Sequence, residues 1–135
     1  MSLNIALETL LAASEKVTID GSDYSLQTYL WRNLMPGSDT SERGLNAIIQ
    51  VVALEQQSFP TTLQAEHLWV IKDQEIWETS FLEEERTPEA PNQLERLANG
   101  GPVWDGQVTV VVQLSTTNGQ KYLLKVDKQR INKTF

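Results

Sequence analysis

Apolar and polar residues alternate along most of this chain, the signature of strands that bury one face. Leu63, Ala65, His67, Trp69 and Ile71 take every second place, with Gln64, Glu66, Leu68, Val70 and Lys72 between them. That spacing predicts a strand over residues 63–72 that sets His67 on the side of Leu63, Trp69 and Ile71. Lys72-Asp73-Gln74-Glu75 reads as a hairpin connection into a second strand over residues 76–81. Residues 45–54 alternate too, but both faces turn apolar in the middle, as in a strand covered on two sides. Near the end, Val108, Val110 and Val112 oppose Thr109, Val111 and Gln113, and Asn118-Gly119 supplies a two-residue hairpin turn into residues 120–126. Ile131 fits a last short strand.

The opening of the chain has a different period. Leu3, Leu7, Leu10 and Leu11 share one helical face over residues 2–14, with Ser2 as N-cap. An apolar stripe of this kind is expected to cover the protein's own sheet rather than a partner. Val17-Thr18-Ile19 is β-branched and stops at Asp20-Gly21. Tyr24, Leu26, Thr28 and Leu30 alternate, yet Leu26, Tyr29, Leu30 and Leu34 also fall at helical spacing, so residues 24–34 fit either element. Residues 83–101 are the least strand-like. Pro88 and Pro91 precede Leu94, Leu97 and Ala98, which predict a short helix stopped by Asn99-Gly100-Gly101-Pro102. The fold expected is mainly β: an antiparallel sandwich or curved sheet over residues 1–135 as one domain, with an N-terminal helix and a short helical insertion.

Composition narrows the chemistry. The 135 residues include one His and no Cys, which excludes disulfides, thiol nucleophiles, Cys-ligated zinc and any multi-His metal site within one chain. Eighteen acids against eleven bases give a net charge of −7, so a nucleic-acid backbone would be repelled on average. The charge is segregated: eight acids and one base lie between Asp73 and Glu95, five bases and one acid between Lys121 and Lys133. These stretches could pair within the chain, steer one copy toward another, or simply be solvated. No basic leader precedes the apolar residues near the start and no run is long enough to span a bilayer. A cytoplasmic location is therefore expected, without membrane or nucleic acid.

No phosphate-cradling loop, nucleophile elbow or zinc-protease motif is present, and no catalytic or metal-binding set is assigned. Asp20 and Asp23 bracket a turn and Asp105 follows Trp104, but carboxylates alone do not make a glycosidase-type pair. The ligand-binding candidates are His67, Trp69, Trp77 and Trp104. Trp69 and Trp77 flank a hairpin and are expected to meet across it. Trp104 follows two glycines, which permit close backbone approach. The leading expectation is a non-enzymatic binding or protein-interaction domain, with another protein or a second copy as partner, whose strand edges and tryptophans do the binding. The alternative is a carrier of a flat apolar ligand such as haem, held by His67 as axial ligand with Trp69 and Trp77. A carboxylate-based enzyme is the third.

Overall fold

The computed structural model describes residues 6–37, 43–55, 58–82, 88 and 90–134. It is mainly β, a curled open sheet or half-barrel with one short N-terminal helix. Helix α1 (Leu7–Leu11) precedes eight strands: β1 (Lys16–Ile19), β2 (Ser22–Asn33), β3 (Asn46–Ala53), β4 (Leu63–Lys72), β5 (Glu75–Ser80), β6 (Gln93–Ala98), β7 (Gln107–Thr116) and β8 (Lys121–Thr134). The path across the sheet is β5-β4-β7-β8-β2-β3-β6, with β1 paired to β2 beside it.

The strands the pattern predicts form where it places them, and β2 settles the ambiguous segment. Tyr24, Leu26 and Leu30 are buried at strand spacing, against Ala53, Val51 and Ala47 of β3. The helical insertion is not formed. Residues 93–98 pair antiparallel with residues 47–52 as β6, because the open backbone edge of β3 offers a full ladder to a segment whose own helical preference is weak. Leu94 and Ala98 serve either period: in the strand they lie opposite Val51 and Ala47, on the core side.

Two bulges decide which side chains face inward. In β4, Ala65 opposes Leu114 and His67 opposes Gln113, so Glu66 is the extra residue. An extra residue inverts the alternation downstream. Leu63 and Ala65 therefore share the core with Leu68 and Val70, while Trp69 and Ile71 turn to the opposite face. The expectation that Leu63 shares a side with His67 is corrected for this reason. In β8, Lys128 takes a left-handed backbone (φ 57°) where the register with β7 shifts. Leu124 and Val126 face the core before it and Ile131 after it. The strand continues through the bulge, so Ile131 is not in a separate element. Beyond the bulge β8 stays paired with β7 through Arg130, and residues 131–134 then run parallel to β2, with Leu30 beside Ile131 and Asn33 beside Thr134.

The main core fills the inside of the curl, and a second, smaller cluster lies on its outside. There Leu10 of α1 packs with Trp69, Ile71 and Val111, so the helix covers its own sheet as expected. The helix is shorter than the 2–14 expected, running from Leu7 to Leu11 with Ala6 extended at its N-cap position; Ser2 and Leu3 lie outside the described residues. No described helix is long and apolar enough to cross a membrane.

Candidate functional site

The curl leaves β5 and β6 as its two margins, and they nearly meet. Just past β5, the Leu82 N–H donates to the carbonyl of Leu97 in β6 at 2.8 Å. Arg96 stacks over Phe81, 5.6 Å from the ring centre, and its Nη2 reaches the Leu82 carbonyl at 3.4 Å. An antiparallel ladder continued from Leu82–Leu97 would set Trp77 opposite Pro102 and Glu75 opposite Trp104. That ladder does not form. After β6 the chain stays with β3 instead, where Gly101 and Leu45 exchange backbone hydrogen bonds at 3.1 and 3.4 Å.

Trp77 stands in the gap as a wedge. A Cβ on Gly101 would lie 2.8 Å from two carbons of the Trp77 ring and 2.9 Å from the Leu45 Cβ, so only glycine fits between them. A Cβ on Gly44 would meet the Gly101 carbonyl, so a second glycine keeps the segment close to β3. Pro102 has no N–H to offer to a ladder. These residues hold the seam closed at Leu82 and splayed at Trp77.

The splayed end is an open groove of about 570 Å³ lined by Glu75, Ile76, Trp77, Pro102 and Trp104. Ile76 is 39% exposed and Val103, beside Trp104, is 66% exposed. Apolar walls with few polar groups are the usual makeup of a binding pocket. Its acidic lining residue is Glu75, which is exposed; Asp73, in the β4–β5 turn, is also exposed but lines a separate cavity with Ile71, Thr109 and Lys128. Neither forms an ion pair among the described residues.

The structure brings two of the four candidates together and places two elsewhere. Trp77 and Trp104 share the groove. Trp69 opposes Glu78, whereas Trp77 opposes Val70, so the two tryptophans lie on opposite faces and do not meet across the hairpin. Trp69 is buried in the outer cluster and its Nε1 donates to Glu78 Oε2 at 2.7 Å. Half-buried His67 sits beside it, ring centres 6.0 Å apart. His67 and Trp69 thus lie on the outer face of the sheet and Trp77 on the inner one.

Of the carboxylates weighed from sequence, Asp23 and Asp105 serve local pairs. Asp23 accepts from the Thr18 hydroxyl at 2.5 Å and stands 3.7 Å from Lys16. Asp105 accepts from Arg32 at 2.8 Å and lies 3.4 Å from Lys133; the guanidinium hydrogen bond, helped by Lys133, holds its carboxyl below the ordinary range. Glu66 is also held low, by hydrogen bonds from Lys121 and Ser115. Among the described residues, Lys121, Lys125 and Lys133 of the basic stretch pair with Glu66, Asp127 and Asp105. Among the described residues no three His, Cys, Asp or Glu cluster as metal ligands.

Sequence reasoning missed Ile76, Glu75 and Pro102 as groove residues. The signal was partly there, since Gly100-Gly101-Pro102 before Trp104 marks a close backbone approach. Comparison with known proteins finds no matching family model, no matching curated protein and no matching solved structure.

Proposed function

We propose that this chain is a non-enzymatic interaction domain that takes up an extended segment of another protein at the splayed seam. The observation that supports the reading is the groove between β5 and residues 102–104, where a strand margin lies beside two half-buried tryptophans. A strand margin gives an incoming chain a row of backbone donors and acceptors, and aromatic walls give it area to bury. The small-molecule carrier retains Trp77 and Trp104 as walls in this geometry but loses His67 and Trp69.

Site-specific photo-crosslinking tests the proposal. A photoreactive side chain replaces Ile76 in one sample and exposed Gln27, on β2, in another. After incubation with native extract, polypeptide adducts at position 76 well above those at position 27 are expected. Equal yields at both positions would overturn it. A small molecule retained on the freshly purified chain in native mass spectrometry would overturn it in favour of the carrier.

A further inference from the structure

Resting on that reading, we infer that the segment bound is extended and carries Lys or Arg over Glu75 and, two places along, a large apolar residue or Pro between Trp77 and Trp104. Each part follows from one wall of the groove.

On the β5 side the wall is a strand margin of six residues. Pairing there holds the guest extended, with successive side chains pointing to opposite sides. The seam narrows to a direct backbone hydrogen bond at Leu82, so only the Glu75–Trp77 half has room for a guest. Guest side chains directed into the groove meet the rings of Trp77 and Trp104 and the ring of Pro102. Pro102 contributes no N–H, so this wall selects by apolar contact and shape, and an apolar or proline residue fits it.

Charge sets the rest. Glu75 is exposed at the mouth and has no cationic partner among the described residues, while Lys121, Lys125 and Lys133 of β8 are engaged with Glu66, Asp127 and Asp105. A cationic guest gains from this margin and an anionic one is repelled. The same charge argues against a second copy as guest. Two β5 margins meeting edge to edge bring Glu75 of each toward the acids of the other.

Selection from a phage-displayed library of random dodecapeptides against the full chain tests the inference, followed by anisotropy titrations with the enriched peptides labelled by fluorescein. Enrichment of Lys or Arg two places from a large apolar residue or Pro is expected. Affinity should fall at least about tenfold in Trp104→Ala, as for a central aromatic anchor. In Glu75→Lys it should fall about two- to fivefold, with a shallower dependence on ionic strength. Glu75→Lys changes only an exposed side chain, so its result stands even if Trp104→Ala proves unstable. Enriched peptides that are acidic, or that ignore both substitutions, would overturn this inference and leave the interaction reading to the crosslinking test. No enrichment would likewise overturn it. Adducts at position 76 that carry no basic residues would sink the chemistry assigned to the guest while upholding the site.

Discussion

Gly101→Ala probes the wedge directly. The added methyl would sit 2.8 Å from two Trp77 ring carbons and 2.9 Å from the Leu45 Cβ. Ordinary contact begins at 3.4 Å, so the ring must retreat by roughly 0.6 Å. Leu45 is fully buried and has nowhere to go, whereas Trp77 borders the open groove and can tilt into it. Overpacking typically costs about 1–3 kcal/mol, and an escape route for the ring puts this case at about 1–2 kcal/mol. Trp77→Ala alone should cost about 2 kcal/mol, below the ~3–5 kcal/mol of a fully buried Trp because this one is only partly buried. With the indole gone, two of the three close approaches vanish, and Gly101→Ala should then cost about 1 kcal/mol less than in the parent. Urea denaturation followed by far-ultraviolet circular dichroism measures all four corners of the cycle without relying on the tryptophan being removed. A Gly101→Ala protein as stable as the parent, or an equal cost in both backgrounds, would refute the wedge.

Three further outcomes follow from other contacts. Glu78→Ala strips the acceptor from the buried Trp69 indole and should cost about 1–3 kcal/mol, and Glu78→Gln distinctly less, both read from urea midpoints. Glu66 has a folded pKa below its unfolded value of about 4.3, so its contribution is complete above that value and is lost as pH falls through the folded one. Lys121→Met should raise the Glu66 midpoint in a carboxyl NMR titration; an unchanged midpoint would remove Lys121 as the main cause. At Lys128 the left-handed backbone predicts that Lys128→Gly is neutral or stabilising by up to about 1 kcal/mol, while Lys128→Val loses about 1–2 kcal/mol. Thermal denaturation ranks the three, and a Val variant as stable as Lys would contradict the bulge geometry.

Much of the sheet was legible from residues alone. Asn118-Gly119 marks the β7–β8 hairpin, and the apolar pattern finds β3, β4 and β7, while residues 24–34 suited strand and helix alike until β3 was seen beside them. The facing of Trp69 and Trp77 was also available. A two-residue turn at Asp73-Gln74 pairs Lys72 with Glu75, and counting outward sets Trp69 against Glu78 and Trp77 against Val70. Two things were hidden. Glu66 and Lys128 have no glycine to betray a bulge, so the inversion of faces downstream depends on partners far along the chain. Leu94, Leu97 and Ala98 suit a helix or a strand equally, and the deciding factor, the empty edge of β3, is tertiary. The groove shares that difficulty: Trp77 and Trp104 belong to elements that meet only when the sheet curls.

The order of strands across the sheet bears on how the chain reaches this state. The β4–β5 hairpin is complete at Ser80, but its inner neighbour, β7, begins only at Gln107. At about 5–20 residues per second of synthesis, roughly two to seven seconds pass before that neighbour has been made. Until then Trp69, Val70 and Ile71 have no sheet to join on that side. The last link comes later still, when residues 131–134 lie down in parallel beside residues 30–33 of β2. Closing so long a loop late makes folding slow, with an apolar hairpin waiting in the open. Pulse-labelled hydrogen exchange should find the β2–β8 amides among the last to be protected.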